Sequence, residues 1–537
     1  MDKSLPWSAG ASQAPLPAES APDLRPRSNP PRSLVELATL IGATVAGPVE
    51  LAVRGISASS ELIYPGDLFA ALPGARAHGA QFAPAALRAG AIALLTDSDG
   101  AAQTRQLGLA TLIAPDPRAV LGRLSAQVYG NPSRSMAVLG ITGTSGKTTT
   151  SFLVRAGLAA AGAGTGLLGT VGVFIGEDTV KTPFTTPEAP QTQALLAVMA
   201  ERGIGWVAME VSSHALRLGR VDGIEFAVAA FTNLSQDHLD FHADMEDYFQ
   251  AKALLFDGRA EREVVVIDDE WGRRLAGSRA AVTVSMTGRP ADWQASEIVV
   301  APDGSTRFTV QGPGLRFAAG CRIPGDYNVA NSLLAFAILA EAGIDVAAVA
   351  PALASAQVPG RMQRVDGDQP FLAVVDYSHK PAGVAGALQA LRPLTTGKLI
   401  IVLGCGGDRD RGKRPLMGEV AARGADLLVV TDDNPRSEDP AEIRAAVLAG
   451  ASAVPAGQAA RVVEQGDRRL AIEAAIALAG PGDTVLIAGK GHETGQEVDG
   501  VMLAFDDVTV LREALLARGL RATETAATAP DANVTGP

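Results

Sequence analysis

Residues 136–150 read Met136-Ala137-Val138-Leu139-Gly140-Ile141-Thr142-Gly143-Thr144-Ser145-Gly146-Lys147-Thr148-Thr149-Thr150, and this stretch decides the fold. Its apolar first half reads as a buried strand, its middle as a Gly-rich turn, and its last residues as the opening of a helix. Gly143 and Gly146 let the backbone N–H groups of Thr144 and Ser145 crowd a phosphate, and the helix N-terminus adds partial positive charge. Lys147 can reach the outer phosphates, the Thr148 hydroxyl can hold Mg²⁺, and Thr149 completes the turn. The first glycine of the longer phosphate-loop pattern falls on Ile141. A short Gly-x-x-Gly-Lys-Thr-Thr loop points away from motors and GTPase switches and suits enzymes that spend ATP to activate a carboxylate.

The composition bounds what surrounds this loop. A chain of 537 residues predicts three or four domains. Hydrophobic residues make up 47% and aromatic ones 4%, so the cores are built from Ala, Val, Leu and Ile. A formal charge of −12 argues against a nucleic-acid surface but leaves room for a local basic pocket around an anionic small molecule. Cys321 and Cys405 are the only cysteines, too few for a disulfide framework, which fits a reducing cytoplasm. The start, Met1-Asp2-Lys3-Ser4-Leu5-Pro6, lacks the apolar stretch of a signal peptide. Residues 156–176 are uncharged but hold seven glycines, so they read as helix, turn and strand of a core rather than a membrane span. A monomer is the expected state.

Residues 1–32 carry seven prolines without periodicity and are expected to be disordered, as is the tail 522–537. Ser33 looks like the cap of an amphipathic helix that opens a first domain over 33–134. A second domain, 135–359, alternates strands at 206–209, 226–231 and 264–267 with helices. A third, 360–521, has strands at 372–375, 399–403, 427–430 and 484–487. This is α/β architecture with mostly parallel sheets, in which ligands bind at the strand tips.

Several clusters sit at such tips. Glu210, at the end of Trp206-Val207-Ala208-Met209, is well placed for Mg²⁺. The run Thr232-Asn233-Leu234-Ser235-Gln236-Asp237-His238-Leu239-Asp240-Phe241-His242 carries two histidines four apart. Zinc is one reading of that spacing, but a structural role for His242 and a catalytic one for His238 fit better. Lys252, taken alone, reads as a solvated helix lysine. In the third domain, Arg409 and Arg436 can each bind a carboxylate through two hydrogen bonds, and Asp433 and Glu493 could hold an ammonium. Together they outline a pocket for an amino acid with extra charges.

The motifs Gly143-Thr-Ser-Gly-Lys-Thr-Thr, Thr185-Thr186-Pro187, Glu210-Val-Ser-Ser-His, Thr232-Asn-Leu-Ser-Gln-Asp-His-Leu-Asp, Tyr327-Asn-Val-Ala-Asn and Gly360-Arg361 resemble those of the Mur ligases. Asp433-Asn434-Pro435-Arg436 narrows the resemblance to the branch that adds the third residue of the peptidoglycan stem peptide. It spans residues 33–520. It implies an N-terminal UDP-binding domain, a central ATPase and a C-terminal Rossmann-like domain closing over the site. The implied reaction is cytoplasmic: ATP phosphorylates the D-Glu side-chain carboxylate of UDP-MurNAc-L-Ala-D-Glu, and the amine of meso-diaminopimelate displaces phosphate from the acyl phosphate. By resemblance Glu210, His238, Thr148 and a carbamylated Lys252 hold Mg²⁺, with Lys147 catalytic. Asn328, Asn331, Arg361 and Asp376 surround ATP. Ser60, Thr185, Thr186, Ser212, Arg220 and Lys252 hold the muramoyl dipeptide, while Arg409, Asp433, Asn434, Pro435, Arg436, Gly489 and Glu493 hold diaminopimelate. Ser59-Ser60-Glu61 stands where the family usually has Asp-Ser-Arg, and Ser378 where Ala is usual. The alternatives are a lysine-adding relative, a folate polyglutamyl ligase, which would lack the Pro65–Phe69 signature, and a P-loop switch or motor.

Overall fold

The computed structural model describes residues 25–520 apart from 75–76, 183 and 240. The first 24 residues, the tail 522–537 and Asp240 therefore lie outside the described residues. Three α/β layers follow one another along the chain, each built on its own sheet. The first sheet pairs Gly55–Ser57, Asp67–Ala70, Ala93–Thr96 and Ala110–Ile113 in parallel, with Thr44–Ala46 antiparallel at its edge.

The central sheet has eleven strands. Ala137–Thr142 lies between Trp206–Glu210 and Phe226–Phe231, parallel to both. Alternation along that strand explains its two-sided burial. Leu139 and Ile141 join the core beneath the helices Lys147–Ala160 and Tyr327–Glu341, while Val138 joins the opposite core with Leu195, Leu196 and Met199 of helix Ala189–Glu201. Residues 156–176 form the end of a helix and the strands Thr165–Gly169 and Gly172–Ile175. Among the described residues no helix is long and apolar enough to cross a membrane.

The third sheet runs Gln363–Arg364, Leu372–Asp376, Thr484–Ala488, Leu399–Leu403, Leu427–Val430 and Arg461–Glu464, parallel except for the first pair. Val374, Ile401, Leu403 and Leu486 face one helical layer, and Val375, Ile400, Val402 and Ile487 face the other. The ends of the parallel strands Leu372–Asp376, Thr484–Ala488, Leu399–Leu403 and Leu427–Val430, which carry the polar loops, share one edge, and Lys380 beyond the first of them pairs with Asp237 of the central domain.

Two expectations need correction. Helix Leu34–Ile41 does follow Ser33, but the Ser33 side chain makes no capping hydrogen bond. The disorder expected through residue 32 is also too long, because residues 25–32 are tied down. Arg25 pairs with the buried Asp67 at 2.7 Å. The backbone N–H groups of Arg27 and Ser28 donate to Glu201 at 3.0 and 2.8 Å, and Arg32–Ser33 pairs with Ala52–Val53. Proline-rich composition forbade a helix here without forbidding an extended strap.

Candidate active site

The phosphate loop is shaped by its neighbours. A Cβ on Gly143 would stand 1.8 Å from Thr232 Oγ1, and one on Gly146 would stand 2.3 Å from Asn331 Oδ1. Both glycines also have positive φ, so no other residue fits either place without displacing a partner. The loop backbone is clamped from Thr232-Asn233: Ser145 N–H donates to Asn233 Oδ1 at 3.1 Å, and Thr232 Oγ1 donates to Ser145 O at 2.6 Å. Lys147 Nζ donates to Gly143 O and Thr144 O, both at 2.8 Å. Burial and the nearby Arg361 and Lys380 hold its pKa below the usual lysine range, against Glu210 and Asp237.

Glu210 is fully buried at its strand tip. Thr148 Oγ1 donates to Oε2 at 2.9 Å, Thr170 Oγ1 to the same oxygen at 3.0 Å, and Thr170 N–H to Oε1 at 2.8 Å. No motif in the sequence marks Thr170. Its available signal is register: Met209 pairs with Leu168, which sets the residues just beyond the two strands side by side.

Lys252 is not solvated, contrary to the reading of its helix alone. It is 1% exposed on Met245–Ala253, donates to Gly143 O at 2.8 Å, and lies 4.4 Å from the centre of the Tyr248 ring. Burial, then Lys147, hold its pKa well below the lysine range, which favours the neutral, nucleophilic amine. His238 takes a left-handed φ of 53° and packs edge-on to His214 at 4.9 Å. Burial lowers its pKa to about 4 despite Asp237 beside it. Asp237 itself forms an ion pair with Lys380, which joins the central and third sheets. His242 uses both ring nitrogens structurally, toward Asp247 at 3.2 Å and Ser213 at 3.0 Å, leaving neither for zinc.

Asn331 Nδ2 donates to Asn328 Oδ1 at 2.9 Å beside the loop. Arg361 lies over the Tyr377 ring at 4.4 Å. Asp376 receives Met362 N–H at 2.7 Å and the Ser378 N–H at 2.9 Å, and the Ser378 hydroxyl also donates to it. The Ser378 departure thus adds a bond to this carboxylate. On the other side of Glu210, Thr185 bonds Thr170 at 3.0 Å, Thr186 Oγ1 donates to Glu210 O at 2.9 Å, and Ser212 N–H donates to Thr186 Oγ1 at 3.2 Å. Arg220 donates to Thr186 O at 3.1 Å and pairs with Glu188 at 2.8 Å. Ser60 stands apart from this cluster, in the short helix Ser60–Leu62 just beyond the parallel strand Gly55–Ser57 of the first sheet.

In the third sheet, Arg436 is already engaged: Nε pairs with Glu497 at 3.1 Å and Nη1 donates to Gly407 O at 2.7 Å. Arg409 is exposed and, among the described residues, donates only to Asp408 O, at 3.4 Å. Both flank Gly406, where a Cβ would lie 3.0 Å from Arg436 Nη1 and 3.9 Å from Arg409 Cγ. Asn434 Nδ2 donates to Glu493 at 2.9 Å. Asp433 and Glu493 do face an ammonium, but it is the chain's own Lys490, a residue that no motif marks. Pro435 packs its carbonyl 1.9 Å from where a Gly407 Cβ would be, and Gly489 lies against Asp433.

A phosphate loop, a buried strand-tip carboxylate and a facing polar pocket on a second α/β sheet define a nucleotide-using ligase. The chain belongs to the Mur ligase family. It matches the Mur ligase family catalytic domain over 52–129, the Mur ligase middle domain over 141–339 and the Mur ligase glutamate ligase domain over 360–491. It is 55% identical to a UDP-N-acetylmuramoyl-L-alanyl-D-glutamate–2,6-diaminopimelate ligase of Streptomyces coelicolor, over 90% of this chain and 96% of that one. A Corynebacterium glutamicum protein of the same name is 50% identical, covering 88% and 94%. A solved structure of a ligase with that name superposes with a TM-score of 0.66 at 33% identity, covering 91% of this chain and all of its own. The fold extends to Mycobacterium tuberculosis folylpolyglutamate synthase, at a TM-score of 0.56 and 20% identity over 69% of this chain and 92% of that one.

Proposed function

We propose that this chain uses ATP to join meso-diaminopimelate to the D-Glu side-chain carboxylate of UDP-MurNAc-L-Ala-D-Glu. The observation that carries this reading is the loop Asp433–Arg436 facing Gly489–Glu493, acids and arginines together, in a chain at least half identical to diaminopimelate ligases. A carboxylate oxygen of D-Glu attacks the γ-phosphorus of ATP, and ADP leaves. The amine nitrogen then attacks the acyl carbon, phosphate departs, and the nitrogen loses a proton to give the amide.

The loop N–H groups and Lys147 receive the phosphates, and Lys147 follows the charge as it moves from ATP to the acyl phosphate. Asn328, Asn331, Arg361 and Asp376 enclose the nucleotide, while Ser60, Thr185, Thr186, Ser212 and Arg220 hold the muramoyl dipeptide. Thr148 and Glu210 present a neutral and an anionic oxygen in contact, 2.9 Å apart, the sparse oxygen set that suits Mg²⁺ when phosphates complete its shell. His238 and Lys252 are the remaining Mg²⁺ ligands that this reading assigns. The bound Mg²⁺ would supply Lewis-acid charge neutralisation at the transferring phosphoryl group. Lys252 is suited to carbamylation because it is buried, adjacent to the loop, and has its pKa lowered by burial and then by Lys147; the carbamate would place an anion beside Lys147 where the free side chain offers only an amine.

The test is ATP-dependent phosphate release with UDP-MurNAc-dipeptide, comparing diaminopimelate and lysine. Release with diaminopimelate and little with lysine is expected. Equal use of both, or ATP hydrolysis independent of the dipeptide, would refute the reading.

A further inference from the structure

We propose that Lys490 is a positioning residue for the amino-acid substrate: its buried ammonium fixes Glu493 and Asn434 and leaves one carboxylate charge for the substrate's own ammonium. This rests on the functional reading above. Lys490 directly follows Gly489 at the tip of Thr484–Ala488, and its side chain has no exposed surface. Its Nζ donates to Asn434 Oδ1 at 2.9 Å and to Glu493 Oε2 at 3.2 Å, and it lies 4.0 Å from Asp433 Oδ1. A buried ammonium is retained only where anions and acceptors compensate its lost hydration.

The geometry gives Lys490 two effects. First, it sets the Asn434 amide. With Oδ1 accepting from Lys490 Nζ and from Glu497 N–H at 3.0 Å, Nδ2 must turn to Glu493 Oε2, where it donates at 2.9 Å. Glu493 Oε2 is thereby used twice. Oε1 has no donor among the described residues, and the side chain as a whole is 34% exposed.

Second, it sets the local charge. Asp433 and Glu493 bring two negative charges against the single Lys490 ammonium. Asp433 is only 8% exposed, and its carboxylate accepts no hydrogen bond among the described residues. A Cβ on Gly489 would lie 2.6 Å from Asp433 Oδ2, so the loop carrying Lys490 passes directly over it. The site therefore sets two carboxylates against one buried ammonium, while the Arg409 and Arg436 guanidiniums lie around Gly406, Arg436 being paired with Glu497. That pattern complements an amino acid's ammonium and carboxylate together. Lys490 is sealed from the pocket and so acts through Glu493 and Asn434, not on substrate.

The test uses the full chain as wild type, Lys490→Met, Glu493→Gln and the double variant. The Michaelis constants for diaminopimelate, ATP and UDP-MurNAc-dipeptide are measured separately. Lys490→Met should raise KM for diaminopimelate at least tenfold while moving the other two less than twofold. The double variant should fall well short of the product of the two single effects, since both act on one group. An unchanged KM for diaminopimelate, independent effects, or a parallel rise in KM for ATP overturns the proposal. If Lys490→Met does not fold, the double variant, which leaves no lone Glu493 charge, is compared with Glu493→Gln alone. Equality within twofold supports the proposal, and a further tenfold rise overturns it. A wild type that uses another amino acid refutes the functional reading but leaves this comparison intact, read on the amino acid actually used.

Discussion

Replacing Lys252 with Ala separates packing from chemistry. The side chain is 1% exposed and lies beside the Tyr248 ring, and among the described residues its Nζ has one acceptor, Gly143 O. Truncation removes three buried methylenes, worth about 2.4 kcal/mol at about 0.8 kcal/mol each. Against that, it removes an amine that is costly to bury, an effect of about 1–3 kcal/mol for a polar group with incomplete partners. The two nearly cancel, so the variant should fold with a stability within about 2 kcal/mol of wild type. Activity should behave differently. Losing a preorganised charged group beside the transferring phosphate costs about 10²–10³-fold in turnover. The assay is thermal unfolding alongside phosphate release with all three substrates, with and without a short-chain carboxylic acid small enough to enter the vacated space. Partial recovery with the acid is expected, since it restores an anion where the carbamate would stand. A folded Lys252→Ala variant that keeps more than about a tenth of wild-type turnover would refute the reasoning.

Arg436→Ala should raise KM for diaminopimelate strongly and erase a discrimination against lysine of about 10³-fold, with ATP binding unaltered, because the guanidinium acts on the carboxylate lysine lacks; a variant that still discriminates as wild type does refutes this. Arg25→Ala strands the buried Asp67 carboxylate, whose pKa burial already raises, and should cost about 3 kcal/mol of stability, recovered in part by Asp67→Asn in the same chain; equal melting of Arg25→Ala and wild type counts against the strap. His492 packs on Tyr377, and burial followed by Arg361 holds its pKa at about 4. The unfolded chain binds a proton below about pH 6.5 that the native one refuses, so stability falls as pH drops from 6.5 toward 4. Burial holds His238 and His379 at about 4 as well, so His492→Gln should make that part of the stability curve shallower without flattening it, and an unchanged slope would place the linkage elsewhere.

Much of this protein was legible before any coordinates. Apolar runs of four to six residues ending in Gly or polar turns were enough for the parallel strands around the site, because a parallel strand buried on both faces must be apolar throughout, but not for the half-exposed antiparallel strands Trp293–Val300, Thr306–Gly312 and Leu315–Cys321. The phosphate loop was readable because its demands are local: two glycines, a lysine and a threonine on consecutive turns of one chain segment. What the tertiary structure alone decided were the partners. Whether Lys252 was solvated or sealed depended on Tyr248 and Gly143, which meet it only after the central sheet closes. Thr170 became part of the Glu210 site through strand register, and the extended strap at residues 25–32 through an aspartate 42 positions away. The acids expected to await a ligand's ammonium were already shared with Lys490. A charged residue's type and spacing announce what it can bind, but its burial and its neighbours' charges are set by contacts between distant segments, and those determine which of its possible partners it takes.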